Sequence, residues 1–180
     1  LPSTDNTLKD LKINGKSIEN FDSENLYYEI VVDELKVDSI IIEGVKNDST
    51  ALISGDGEKE IKPGTNTFVV EVTAEDGSKR NYIVSVKSQS FDTSLKSLEV
   101  VDYPFTEVFD ANRYNYQVNV PYQVDMIEII GEAHPKALIY GLGTKRDLNV
   151  GSNIFVVYVV SESGARSLNY QIEVIREEPS

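Results

Sequence analysis

The strongest constraint on this chain is that it is written twice. Thr7-Leu8-Lys9-Asp10-Leu11-Lys12-Ile13 returns about 87 residues later as Ser94-Leu95-Lys96-Ser97-Leu98-Glu99-Val100, with the apolar positions kept. Phe21-Asp22 followed by Tyr28 returns as Phe109-Asp110 followed by Tyr116, shifted by one further residue. Gly64-Thr65-Asn66-Thr67-Phe68-Val69-Val70-Glu71-Val72 returns as Gly151-Ser152-Asn153-Ile154-Phe155-Val156-Val157-Tyr158-Val159. Each copy then runs through a turn, Glu75-Asp76-Gly77 or Glu162-Ser163-Gly164, into a last segment around Tyr82 or Tyr170. Two homologous domains are expected, 5–88 and 91–176, joined near Ser88-Gln89-Ser90. Leu1-Pro2-Ser3-Thr4 and Glu177-Glu178-Pro179-Ser180 read as linkers of a longer protein.

Within each copy the apolar residues alternate with a period of two, and turn residues break the pattern at Asn14-Gly15, Asp56-Gly57, Pro63-Gly64 and Asp76-Gly77. Helical periodicity is nowhere sustained. The pattern predicts strands near 8–13, 26–32, 38–45, 50–54, 58–61, 67–74 and 80–86, with the second copy repeating them. Seven short strands at this spacing make an all-β sandwich. Phe68, Val70 and Val72 should point inward, and so should Phe155, Val157 and Val159.

These residues resemble the cadherin-like β-sandwich domain that occurs in tandem in bacterial surface and secreted proteins. The resemblance rests on the leucine-bearing opening strand (Leu8, Leu11; Leu95, Leu98), the Phe-Asp before a tyrosine strand (Tyr28, Tyr116), the Gly-x-Asn loop (Asn66, Asn153) and the closing tyrosine strand (Tyr82, Tyr170). It implies two tandem seven-stranded Ig/cadherin-like sandwiches in an extracellular, cell-surface setting, most often Gram-positive. There the domain acts as a spacer or adhesion module without catalysis, and the resemblance carries no catalytic residue with it.

Composition narrows the chemistry. With 30 Asp and Glu against 17 Lys and Arg, the net charge of -13 repels nucleic acid and anionic lipid. The chain has no Cys, no Trp and one His, so disulfides, thiol nucleophiles and the usual zinc sets are absent. No apolar run is long enough to span a bilayer as a helix. His134, before Pro135, reads as a solvated loop residue. Gly141-Leu142-Gly143-Thr144-Lys145-Arg146 is superficially a phosphate loop, but it lacks the third glycine and a following helix. Its counterpart Ser54-Gly55-Asp56-Gly57 makes it a repeated hairpin turn.

No cofactor is expected, although acidic loops place Asp22 with Glu24, Asp110 with Asn112, and Glu75 with Asp76 as candidate calcium ligands. Lys9 with Asn81 and Lys96 with Asn169 are the pairs an intramolecular isopeptide bond would join, but both asparagines should alternate outward from the inward tyrosines. Tyr28, Tyr82, Tyr116 and Tyr170 recur in both copies and read as core residues whose hydroxyls reach a partner at the rim. Tyr103, Tyr122, Tyr140 and Tyr158 have no tyrosine counterpart in the first copy. Glu43, Glu71 and Thr73 become Ile130, Tyr158 and Val160, so Ile130, Val156, Tyr158 and Val160 are expected to form one outward apolar patch. Such a patch packs on a neighbouring domain or docks a ligand. The expected function is a non-catalytic structural, spacer or adhesion module, a rod of two sandwiches. The alternative is a module that binds carbohydrate or protein, cell-wall polysaccharide or a surface protein, through that face of the second domain.

Overall fold

Every segment that alternates in the sequence becomes a strand, and the structure contains no helix. The computed structural model describes residues 1–180 and divides them into two units, Leu1–Gln89 and Ser90–Ser180. The first unit carries β1 (Leu8–Ile13), β2 (Lys16–Ser17), β3 (Tyr27–Asp33), β4 (Ser39–Lys46), β5 (Leu52–Ser54), β6 (Gly57–Glu60), β7 (Gly64–Thr73) and β8 (Lys79–Gln89). The second carries β9 (Leu95–Val100), β10 (Asn115–Val120), β11 (Ile127–Ala133), β12 (Leu138–Tyr140), β13 (Gly143–Lys145), β14 (Gly151–Val160) and β15 (Tyr170–Arg176).

Each unit is a two-sheet sandwich around its own core. In the first, the order β2-β1-β4-β6 faces β3-β8-β7-β5; in the second, β13-β11-β9 faces β10-β15-β14-β12. Leu8, Leu11, Ile40 and Ile42 from one sheet meet Val70, Val72, Tyr82 and Val84 from the other, all buried. Leu95, Leu98 and Ile129 meet Val157, Val159, Tyr170 and Ile172 in the same way. Full burial of each such aliphatic side chain contributes roughly 1.5–3 kcal/mol, so the alternating faces supply most of the cohesion in a chain without disulfides. β3 pairs in parallel with the last strand of the first unit, and its counterpart β10 with the last strand of the second, Tyr28 opposite Val84 and Tyr116 opposite Ile172.

The repeated tyrosines tie the sheets and loops together. The Tyr82 hydroxyl accepts from the Leu8 amide at 3.0 Å and donates to the Ser23 carbonyl at 2.6 Å, so it bridges β8 to the start of β1 in the facing sheet. Tyr170 repeats the bridge, accepting from Leu95 N at 3.5 Å and donating to Ala111 O at 2.9 Å. Tyr28 closes the loop before its own strand by donating to Asp22 O and accepting from Asp22 N, as Tyr116 does at Asp110. Phe21 and Phe109 stack on Tyr28 and Tyr116 at 5.7 and 5.9 Å. The asparagine of the Gly-x-Asn loop is also explained. Asn66 accepts from Lys62 N and donates to Lys62 O, and Asn153 does the same at Asn149.

Three expectations from the sequence need correction. The Gly55–Gly57 and Gly141–Gly143 stretches are not hairpins, because β5 pairs with β7 while β6 pairs with β4, and likewise β12 with β14 while β13 pairs with β11. At each stretch the chain crosses from one sheet to the other. Gly55 and Gly141 take φ of +83° and +96° there, and their α-carbons pass so close to Val69 and Val156 that only glycine fits. Second, the first unit has an eighth strand. Asn14 and Gly15, both at positive φ, form a two-residue turn that folds β2 back on β1 over two residue pairs, whereas in the second copy the turn at Val101-Asp102 makes one bridge, Val100 to Tyr103, and Pro104 follows in place of Ser17. Third, the tails are not wholly linkers. Ser3 donates its amide to Glu75, donates its hydroxyl to Asp48 and accepts from Asp76 N, and the Glu177 amide extends the β10–β15 ladder to Val120 O.

The turns also carry an acid sensitivity. Asp5, Asp48, Asp76 and Asp92 are each held below the ordinary carboxylate range, chiefly because the hydroxyl of Thr7, Thr50, Ser78 or Ser94 donates to the ionised form. A carboxyl depressed in the folded state stabilises above its unfolded pKa and loses that contribution as pH falls through the folded value. The melting temperature should therefore drop as pH is lowered below about 4. In the Asp5→Asn/Asp92→Asn double variant it should start lower and fall less. Parallel melting curves of the two proteins from pH 6 to pH 2 check this.

Candidate functional site

Residues directly opposite in an antiparallel ladder share a face, so the register of β12 and β14 identifies what the second unit shows to solvent. Leu138 lies opposite Val160 and Tyr140 opposite Tyr158, with Val156 and Ile154 continuing the same row along β14. Their neighbours Val157 and Val159 point the other way and are fully buried. Tyr140 and Tyr158 stack at 5.0 Å with ring planes 15° apart. The Arg166 guanidinium lies over the other face of Tyr158 at 3.6 Å and donates to the Asn169 side chain. Tyr158 is thus sandwiched and half-buried, while Tyr140, Ile154 and Val156 remain exposed.

The first unit places charge at the same register. Glu71, the counterpart of Tyr158, accepts an ion pair from Lys79 at 2.9 Å. Lys79 corresponds to Arg166, since Thr73 opposes Lys79 where Val160 opposes Arg166. Ser54 stands for Tyr140 opposite Glu71. One unit therefore closes this corner with a surface ion pair of small energetic worth, and the other with an aromatic pair capped by a cation.

Val156, Tyr158 and Val160 lie together as the sequence suggests, but Ile130 does not join them. Ile130 belongs to β11 in the facing sheet, where Ile127 and Ile129 are buried and Ile130 points outward on the opposite side of the sandwich. Period-two alternation reveals which residues face out, but not which of the two sheets they face out from. The sequence reading missed Leu138 and Arg166 as members of the surface. The signal for Arg166 was its distance along the chain from Tyr158, which matches that of Lys79 from Glu71 across an equivalent turn.

The other candidates are dispersed or engaged. Asp22 and Asp110 accept from the amides of Glu24 and Asn112, Glu24 pairs with Arg80 at 2.9 Å, and Glu75 and Asp76 are held by Ser3 and Ser78. No three His, Cys, Asp or Glu side chains converge to hold a metal ion. Lys9, Asn81, Lys96 and Asn169 are all exposed, and β1 and β8 lie in different sheets, so neither lysine–asparagine pair has the buried setting that isopeptide chemistry needs. His134 accepts from the Lys136 amide through Nδ1 at the turn before β12. Tyr103 packs against the core of the second unit, and Tyr122 lies exposed under the Arg176 guanidinium at 4.8 Å.

Two sandwiches built on one repeated plan define a tandem of β-sandwich modules by fold. The family model for the cadherin-like beta sandwich domain matches residues 8–88 and 95–177, and the chain belongs to that family. A comparison with curated proteins finds no match. Among solved structures, the chain is similar to Drosophila OTK extracellular domains 3–5 at 8% identity and a TM-score of 0.49, with 95% of this chain covering 63% of that one. It is also similar to the Clostridium thermocellum CbhA fibronectin(III)-like modules at 12% identity and a TM-score of 0.29, covering 93% and 94%. For the protocadherin gamma B7 extracellular cadherin domains 1–4 the identity is 8% and the TM-score 0.28, with 86% and 50% covered.

Proposed function

We propose that this pair of cadherin-like domains is a non-catalytic structural spacer or adhesion module of a bacterial cell-surface protein, working outside the cell and linking or presenting neighbouring domains. The observation that carries the reading is the repetition itself. Each unit completes its own core, and its tyrosine bridges, asparagine-clamped loops and aspartate turns serve the sandwich. The strongly negative surface keeps such a module soluble and away from nucleic acid and anionic lipid.

The exchange of the Lys79–Glu71 ion pair for Tyr140, Tyr158 and Arg166 favours a second reading, in which the outer face of the second unit binds cell-wall polysaccharide. Tyr140 offers an exposed ring face for a sugar to stack on. The experiment that separates the two is co-sedimentation of the protein, and of Tyr158→Glu, with purified Gram-positive cell wall and insoluble polysaccharides. The structural reading expects no saturable binding from either protein. Saturable binding that Tyr158→Glu reduces at least tenfold, roughly the worth of one stacked aromatic contact, would establish the recognition reading instead.

A further inference from the structure

We propose that the free edge of β3 in the first unit is a docking site for an extended peptide of a partner protein, one that carries an aromatic residue two positions before a carboxylate. The β3–β8 ladder begins with Ile83 N–H donating to Leu26 O and ends with Glu34 N–H donating to Gln89 O. In a parallel pair this parity turns the peptide groups of Tyr28, Ile30 and Val32 toward β8 and those of Glu29 and Val31 outward. β3 is the edge strand of its sheet, and β2 is the edge of the facing one. Between them the seam of the sandwich opens into a cleft of about 580 Å³ lined by Ile13, Lys16, Ile18, Glu29, Ile30 and Val31.

The second unit shows what fits such a seam. Its β10 occupies the place of β3, with Gln117 in the position of Glu29. There the edge is capped by the chain's own segment: Thr106 N–H donates to Gln117 O at 2.9 Å, and Glu107 Oε2 accepts the Gln117 amide at 3.1 Å. The Phe105 ring enters the seam and lies 4.6 Å from Tyr116. In the first unit the corresponding stretch stays on β1, with the Ile18 amide bonded to Leu11 O and the Ile18 side chain, the counterpart of Phe105, packed at the core's edge, which leaves the Glu29 and Val31 backbone without a covering segment and the cleft open. Proteins cover or blunt edges of this kind, and strand addition is the common way a partner uses one that is left open. The matching occupant is an extended Phe-x-Glu segment: its aromatic ring covers Ile18 and Ile30, one amide bonds the Glu29 carbonyl, and its carboxylate takes the Glu29 amide, as Glu107 takes that of Gln117.

The test is titration of the full chain with the synthetic peptide Asp-Tyr-Pro-Phe-Thr-Glu-Val, which has the sequence of residues 102–108, followed by amide NMR and hydrogen exchange. The Glu29 and Val31 amides should shift saturably and exchange about tenfold more slowly. Peptides with Ala in place of the Phe or the Glu should bind about tenfold more weakly, the worth of one buried ring contact or one charge-assisted hydrogen bond. Glu29→Pro removes an outward amide without removing a β8 ladder bond and should abolish the response. The peptide variants apply the same test without altering the protein. Three results would overturn the proposal: no response at Glu29 and Val31 with peptide in the millimolar range, a response confined to other residues, or shifts of these amides that follow protein concentration alone and so report pairing with a second copy.

Discussion

Gly141→Ala is expected to destabilise the second unit by about 4 kcal/mol, a large share of the roughly 5–15 kcal/mol that holds a domain folded, while the first unit keeps its transition. A β-carbon added at Gly141 would lie 2.1 Å from the Val156 carbonyl oxygen, and φ there is +96°. The obstructing atom is backbone of β14, which pairs with β15 at Val156 and with β12 from Tyr158 onward, so it cannot retreat without disturbing a ladder. Gly55→Ala should do the same to the first unit, where the Val69 carbonyl oxygen stands 2.1 Å away and φ is +83°. Gly143→Ala separates strain from collision. Its φ is +105°, but nothing lies within 4 Å of the added carbon, so it should cost only about 1–2 kcal/mol. Urea denaturation of the three variants, followed by far-UV circular dichroism, checks the order. Equal losses at Gly141 and Gly143 would show that the carbonyl contact contributes nothing.

The second large effect belongs to Tyr82. Tyr82→Phe keeps the buried ring but removes the acceptor of the Leu8 amide and the donor to the Ser23 carbonyl. The Leu8 amide then has no partner in a buried position, and the expected loss is about 2–3 kcal/mol with an unchanged denaturant slope. Tyr170→Phe should cost about half as much, because the corresponding amide of Leu95 is 3.5 Å from the hydroxyl and so contributes less. Burial pushes the Tyr82 hydroxyl above the usual tyrosine range. Its contribution is therefore complete below the unfolded pKa and is lost as pH rises through the folded value. Urea midpoints at pH 7 for the wild type and both variants test the ranking. Equal losses would mean that the bridge between sheets is no stronger in one unit than in the other.

Much of the fold could be read from residue order because its causes are local or repeated. Alternation at Phe68 to Thr73 fixes the inward row of β7, and the recurrence of Tyr28, Tyr82, Tyr116 and Tyr170 in both copies marks them as structural before any coordinate is known. The candidate surface was only partly legible. Val156, Tyr158 and Val160 share a strand, so period two alone groups them. Leu138 and Tyr140 reach them through a ladder whose register depends on where β12 lands, and Ile130 is separated from them by the thickness of the sandwich.

By itself, the sequence determined two homologous all-β units, their inward faces, their recurring tyrosines and the net negative charge. Those properties follow from side-chain spacing and composition, which need no partner strand to be defined. Only the tertiary structure decided the parallel pairing of β3 with β8 and of β10 with β15, the crossing between sheets at Gly55 and Gly141, and the open β3 edge beside the capped β10 edge. Each depends on which distant backbone groups meet, and a hydrogen-bond ladder joins residues far apart in the chain whose identities leave the choice of partner open.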